Sequence, residues 1–244
     1  MKDKFWMSLI NTLISLIRVI VLSRNNKLPK NLNTSINILG NAPNIKDQNI
    51  DTIYPRMVTN GFAIDLDYYL KTKPTYYVLC DDKYFEPKCY YTSAILDAIN
   101  RRDWDMYIFK PRKSVKHDRV MNKNFRYNKT TIEGFGWFVL WCMKHNLGMP
   151  SPANVLIPCL MLAINMGYKE INLYGFEFSW YKEAVFGEKL ESIHFHKEPE
   201  KYNYQDMETL LYTFYKTVYG LNIVKKYAKK RGVKIINHCD FKII

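Results

Sequence analysis

The chain has 244 residues, enough for one large domain with a sizeable core. Lysine and arginine number 36 against 23 acidic residues, a formal charge of +13 with much of it in residues 1–30 and 101–129, which favours an anionic partner: nucleic acid, acidic lipid or a phosphorylated substrate. The five cysteines (Cys80, Cys89, Cys142, Cys159, Cys239) are odd in number and form no CxxC pair, which argues against a disulfide framework or a zinc site and suits a reducing cytoplasm.

Phe5 to Leu22 are mostly apolar, and the polar exceptions are Ser8, Asn11, Thr12, Ser15 and Arg18. On a helix these five fall within one stripe of about 120°. Basic residues flank the run: Lys2 and Lys4 before it, Arg24, Lys27 and Lys30 after it. A signal peptide needs a small-residue cleavage site, and Ser23-Arg24-Asn25-Asn26 is a poor one. A span would carry Arg18. A helix lying in the headgroup plane accounts for both the polar stripe and the basic flanks. The remaining alternative is a helix packed on the protein's own core. The favoured division is an amphipathic, membrane-associating helix over 1–24, a polar linker over 25–34 and a single domain over 35–244. That places the protein peripherally on the cytoplasmic face of a bacterial inner membrane.

Ile36 to Leu39 form a β-type run that stops at Gly40-Asn41-Ala42-Pro43. Gly40 permits a close backbone approach, Asn41 offers donors and an acceptor, and Pro43 suits a helix start. The turn is neither GxGxxG nor a Walker loop. Lys46 to Tyr54 reads as a short helix or loop, and Arg56 to Asn60 as a second strand ending at Asn60-Gly61. Thr75 to Cys80 is a third strand, ending at Asp81-Asp82. Helical spacing runs over Tyr91–Asn100, and Met106 to Phe109 is a short strand closed by Lys110-Pro111. Residues 112–130 are basic and without period, which predicts a loop or lid. Asn154 to Met166 is a helix with Gly167 as its stop. Glu170 to Gly175 is a buried strand opening into Phe176-Glu177-Phe178-Ser179-Trp180. Residues 181–204 are irregular and carry His194 and His196. Asp206 to Arg231 is a long helix ended by Gly232, and Val233 to Ile236 is the last strand. This alternation predicts an α/β fold with a mostly parallel, Rossmann-like sheet and helices on both faces. If the strands are parallel, the tips at Gly40-Asn41, Asn60-Gly61, Asp81-Asp82 and Gly175 share one edge and build one pocket.

Ile38-Leu39-Gly40-Asn41-Ala42-Pro43-Asn44-Ile45-Lys46 resembles the first strand and turn of the bacterial sialyltransferases of glycosyltransferase family 42. Met166 to Phe178 resembles that family's later helix–strand–turn, and Ser192-Ile193-His194-Phe195 resembles the neighbourhood of its catalytic base. Order and approximate spacing agree across residues 36–240, with little likeness over 85–150. The chain is also similar to a wider group of bacterial surface-polysaccharide enzymes through Asn154-Val155-Leu156-Ile157 and Phe176 to Trp180. The resemblance implies a single modified GT-A-type nucleotide-binding domain, a CMP-activated nonulosonic acid donor, a sugar acceptor and no metal. It places Gly40, Asn41 and Asn60 in the nucleotide site and makes His194 the general base. Asp81 falls where the family usually has another asparagine, a departure that sets a carboxylate against an anionic donor. Ser179 occupies one position of the family's tyrosine pair, with Trp180 and Tyr181 beside it. Ser151 and Asn154 stand where the family has an arginine and a threonine before the corresponding helix, as donors at a helix start. Gly175 completes the nucleotide-site set.

Inverting glycosyl transfer needs a base for the acceptor hydroxyl, and histidine suits this near neutral pH. His194 and His196 alternate, so on an extended segment both face one side. The leaving nucleotide needs neutralisation by hydroxyls, amides and cations. Trp180 and Tyr181 are candidates, with Arg112, Lys113, Lys116 and Arg119 if the basic segment closes as a lid. A rival route is a metal-dependent GT-A transferase using a nucleoside-diphosphate sugar. Asp81-Asp82, Asp65-Leu66-Asp67 and Asp103-Trp104-Asp105 would supply carboxylates for Mg²⁺ or Mn²⁺. The Gly-Asn-Ala-Pro turn also resembles pterin pyrophosphokinase-like proteins. A basic nucleic-acid binder is a third class, and no recognisable DNA- or RNA-binding motif supports it. The expected enzyme is thus a glycosyltransferase of lipopolysaccharide or capsule synthesis, acting on a glycan or lipid-linked acceptor, at an anionic membrane surface, with homo-oligomerisation open.

Overall fold

Seven strands and six helices make up the described part of the protein in a computed structural model covering residues 2–24, 27–29, 33–50, 53–86, 89–112, 124–177, 195 and 206–239. In chain order they are α1 (Lys2–Leu22), β1 (Ser35–Leu39), β2 (Arg56–Thr59), α2 (Leu66–Thr72), β3 (Tyr76–Val78), α3 (Tyr90–Arg101), β4 (Tyr107–Pro111), β5 (Asn124–Tyr127), α4 (Gly136–Lys144), α5 (Leu156–Met166), β6 (Glu170–Tyr174), α6 (Met207–Lys230) and β7 (Lys234–Asn237). The strands form one sheet in the order β5-β4-β3-β2-β1-β6-β7, and every pairing is parallel. The predicted α/β class with a parallel sheet is therefore the observed one.

Successive strand residues point to opposite faces, and each face has its own core. Ile36 and Ile38 of β1, Ile171 and Leu173 of β6 and Phe109 of β4 pack with α4, α5 and α6. Leu39, Val58, Tyr77, Leu79 and Ile108 pack with α2, α3 and the turns after β1 and β2. Helix α5 is buried at every position except Asn165, which accounts for its unbroken apolar sequence. Asn165 meets its polar needs locally: Nδ2 donates to the Met143 carbonyl at 2.8 Å, and Oδ1 accepts from the Tyr227 hydroxyl at 2.5 Å. Asp206 caps α6 by accepting from Thr209 N–H at 3.0 Å.

Two elements, β5 and α4, have no clear signal in the local sequence pattern. Residues 112–130 were expected to be loop, yet 124–127 form the edge strand β5. Three of its four residues are only half-buried, and it sits in a basic run, so the alternation of Phe125 and Tyr127 with polar neighbours was masked. Helix α4 follows directly and supplies Phe138, Val139, Cys142 and Met143 to the core.

Helix α1 lies against the domain by its polar stripe. Ser15 Oγ donates to the Glu133 carbonyl at 3.0 Å and accepts from Glu133 N–H at 2.8 Å. Thr12 Oγ1 accepts from Phe135 N–H at 2.9 Å. Ser23 Oγ hydrogen-bonds to Thr130 Oγ1 and to the Leu147 carbonyl, and Asn128 Nδ2 donates to the Arg24 carbonyl at 2.7 Å. Gly134 is required at this contact. A Cβ there would sit 2.1 Å from Thr12 Oγ1 and 2.7 Å from Thr12 N.

Candidate functional site

The strand order reverses at β1. Strands β2 to β5 extend from one side of it and β6 and β7 from the other. In open parallel sheets, such a switch point leaves a crevice beyond the carboxyl ends of the strands. Here its floor is two glycines in backbone contact. Gly40 N–H donates to the Tyr174 carbonyl at 2.8 Å, and Ala42 N–H donates to the Gly175 carbonyl at 3.1 Å. A Cβ on Gly40 would lie 2.2 Å from Gly175 O, while Gly175 has φ +69° and would bring a Cβ within 2.8 Å of Ile45 Cδ1. Neither position admits a side chain, so the chain passes from strand to turn with its backbone amides close together.

Asn41 follows Gly40. Its Nδ2 makes a long contact, 3.4 Å, to the Thr59 carbonyl. Its Oδ1 is buried and has no hydrogen-bond partner among the described residues. Its main-chain carbonyl accepts from Phe195 N–H at 3.0 Å. The Phe195 ring packs on Phe62 and Tyr68, with centroids 5.1 and 5.4 Å away, and lies 5.4 Å from Lys46 Nζ. The chain immediately after His194 is therefore anchored at the β1 and β2 tips.

The β2 and β3 tips are joined by side chains. Asn60 adopts φ +44°. Its Oδ1 accepts from Cys80 N–H at 2.9 Å and its Nδ2 donates to Asp81 Oδ2 at 2.9 Å, while its carbonyl accepts from the Tyr77 hydroxyl at 2.5 Å. Asn60 thus holds Asp81 in place. Lys129 Nζ reaches across from beyond β5 to donate to the Cys80 carbonyl at 2.7 Å and lies 3.9 Å from Asp82. Burial pushes the Asp81 carboxyl above the usual carboxylate range; Lys129 and Lys83 oppose this, and Asp82 reinforces it. Burial also pushes the neighbouring Cys80 thiol up to about 12, so Cys80 is not a thiolate nucleophile.

The raised Asp81 value has a measurable sign. The native state binds this proton more tightly than the unfolded chain does, so its contribution to stability is present below the ordinary carboxylate pKa. That contribution is lost as pH rises through the raised value. Asp81→Asn removes the titration and keeps an acceptor for Asn60. Between about pH 4 and pH 7, the melting temperature of the wild type should fall relative to the variant. Parallel melting curves across that range would refute the assignment.

The turn after β1 carries a polar cluster of residues distant in the chain. Glu177 Oε1, just past the β6 tip, accepts from Asn44 Nδ2 at 2.5 Å and from Gln48 Nε2 at 3.4 Å. The amide oxygens of Asn44 and Gln48 are buried without partners among the described residues. The only sequence signal was the position of Glu177 directly after Gly175-Phe176.

The structure brings Gly40, Asn41 and Gly175 together and pairs Asn60 with Asp81 on the neighbouring tips. Ser151 and Asn154 precede α5. Asn154 Oδ1 accepts from Leu156 N–H at 2.9 Å, a bond local to the helix start. His194, His196, Ser179, Trp180 and Tyr181 lie outside the described residues, as do Lys113, Lys116 and Arg119. Two of the D-x-D triplets have other work. Asp65 caps α2 and pairs with Lys46, and Asp103 pairs with Lys73 at 3.1 Å. Among the described residues, no group of three or more His, Cys, Asp or Glu side chains could hold a metal ion. All five cysteines are free.

These features define a class: an open, all-parallel α/β sheet whose ligand crevice lies where the strand order reverses. Among solved structures, the chain is similar to the monofunctional alpha-2,3-sialyltransferase Cst-I of Campylobacter jejuni. The TM-score is 0.51 at 17% identity, over 89% of this chain and 80% of that one. Two further similar structures have TM-scores of 0.48. One is an apo alpha-2,3-sialyltransferase of Campylobacter jejuni, at 18% identity over 89% of this chain and 80% of that one. The other is Campylobacter jejuni CstII in complex with the substrate analogue CMP-3FNeuAc, at 16% identity over 85% and 82%. No family model and no curated protein sequence matches the chain. The likeness to Cst-I establishes the shared fold.

Proposed function

We propose that this protein is an inverting glycosyltransferase, sialyltransferase-like, that moves a sugar from a CMP-activated donor to a glycan or lipid-linked acceptor in bacterial surface polysaccharide synthesis. The observation that carries the reading is the β1/β6 switch point, where the buried Asn41 Oδ1 awaits a donor beside the close-packed backbones of Gly40 and Gly175. A ribose hydroxyl or the cytosine amino group is such a donor. Two further supports are the fold shared with Cst-I, a sialyltransferase, and the motif likeness at Gly40 to Lys46 and Ser192 to Phe195.

In this reading Gly40, Asn41 and Gly175 receive the nucleotide, and Glu177 accepts from its hydroxyls. Asn60 acts by positioning Asp81. The upward shift that burial gives the Asp81 carboxyl lessens the charge it sets against an anionic donor. His194 takes the acceptor hydroxyl proton as the nucleotide leaves. Trp180, Tyr181 and Ser179 steady the leaving phosphate, and Ser151 and Asn154 add donors from the start of α5. No metal enters this route.

Thermal melting in the presence of CMP, UDP, GDP or ATP, each with and without Mn²⁺, tests the proposal. A ligand at about 100 times its Kd stabilises by about 2.7 kcal/mol, which for a chain of this size raises Tm by roughly 5–10 °C. CMP should do this without Mn²⁺. Stabilisation by UDP or GDP only with Mn²⁺ would replace the reading with the metal-dependent transferase. Stabilisation by ATP alone would favour the pyrophosphokinase-like alternative.

A further inference from the structure

We infer that α1, docked on the domain, forms with α4 and the first half of α6 a composite surface that lies on an anionic lipid bilayer. A surface helix of a soluble domain turns its apolar side to the core. Helix α1 does the opposite. Its contact seam is Thr12, Ser15, Val19 and Ser23, three of them small and polar, and hydrogen bonds fasten it. The outward side carries Trp6 (58% exposed), Ile17 (63%), Ile20 (67%) and Val21 (60%). Small polar residues at the seam, with Gly134 allowing close backbone approach, are how helices associate where apolar side chains already face hydrocarbon.

The docking also fixes how the helix meets the bilayer. Among the described residues, α1 is the one helix long and apolar enough to cross a membrane. Yet it is held to the domain along its length. The Phe5 ring lies 5.5 Å from that of Phe135, Thr12 and Ser15 bind residues 133–135, and Arg24 binds Asn128. A helix tied at both ends to one domain lies along the surface.

The surroundings of α1 match the headgroup zone. Helix α4 begins directly after the turn that receives α1 and exposes Trp137 (69%) and Trp141, four residues apart on one face. Lys216 of α6 binds Glu133 in that same turn at 2.5 Å, which brings the exposed Tyr212, Tyr215 and Tyr219 alongside. Tryptophan and tyrosine concentrate where bilayer meets water. Residues 4–24 and 134–145 contain no aspartate or glutamate and residues 207–219 contain one, Glu208, while Lys4, Arg18, Arg24, Lys27 and Lys144 are exposed. That charge complements anionic lipid and opposes a second copy of the same cationic face.

Flotation of the full-length protein with vesicles of mixed phosphatidylcholine and phosphatidylglycerol tests this, and needs no catalytic assay. Failure here therefore leaves the glycosyltransferase reading standing. The wild type should float with these vesicles, more weakly at high salt, and brominated lipid should quench its tryptophan emission. The double variant Ile17→Asp, Ile20→Asp should bind at least about tenfold more weakly with unchanged circular dichroism and melting temperature. If that variant misfolds, quenching of the wild type decides alone. Cysteines placed at Lys4→Cys and Lys27→Cys should both react with an impermeant thiol reagent added outside the vesicles. Three results would overturn the inference: no flotation or quenching by the wild type, reaction at one end of α1 only, or a lipid-free dimer that the Asp variant dissolves in place of vesicle binding.

Discussion

Gly40→Ala should cost the protein about 3 kcal/mol or more, seen as a fall in Tm of roughly 6–12 °C for a chain of this size. A methyl group at residue 40 would stand 2.2 Å from the Gly175 oxygen and 2.9 Å from its carbonyl carbon. Both are backbone atoms at the end of a neighbouring strand, so no rotamer relieves the clash. The tips must separate, and the bonds from Gly40 N–H to Tyr174 and from Ala42 N–H to Gly175 lengthen or break. Nucleotide-induced stabilisation should disappear with them. Phe176→Ala is a useful comparison, because its ring edge also approaches that methyl, at 3.0 Å, and can yield. Gly40→Ala in the Phe176→Ala background should remain damaged, since the backbone contact is untouched. A variant with alanine at 40 that melts like the wild type and still binds nucleotide would show that the junction is not the site.

His194→Ala should lower transfer from the donor by roughly 10²–10⁴-fold, the usual worth of a general base. Nucleotide-induced stabilisation should stay within the wild-type range, because the base acts on the acceptor. His196→Ala is the paired control and should leave most of the activity. The pH dependence separates the roles further. Activity limited by a histidine base falls as the imidazole protonates below about pH 6.5, and that limb should vanish with His194. Full transfer by the His194 variant would move the base elsewhere. Loss of nucleotide binding along with activity would make residue 194 a support for Phe195, whose N–H holds the Asn41 carbonyl.

Much of the fold could be read from local signals. Strand and helix alternation implied a parallel sheet, and polar or glycine stops at Gly40, Asn60, Asp81 and Gly175 marked the strand ends. In the sheet these belong to the four consecutive neighbours β3, β2, β1 and β6. What escaped depends on distant partners. Asn60 looked like a ligand-binding amide, but a residue's own sequence does not tell that Cys80 N–H and Asp81 absorb its oxygen and nitrogen. Glu177 gained its place through Asn44 and Gln48, 133 and 129 residues earlier. Strand β5 pairs on one side only, so its pattern was diluted. For α1, amphipathicity gave two faces without saying which the protein would take. The seam was decided by Gly134 and by the backbone groups of Glu133 and Phe135 that bond Ser15 and Thr12.

The separation of that seam in the chain sets an order of events during synthesis. Ser15 and its partner Glu133 are 118 residues apart. At about 5–20 residues per second, a ribosome makes α1 roughly 6–24 s before the turn that receives it. The apolar side is complete throughout that interval, and the polar seam has nothing to bind. A nascent chain in this condition meets whatever surface is nearest, so the helix can choose its site of residence before the domain it docks on exists. The domain then folds in place, with Ser15 and Thr12 already positioned to receive it.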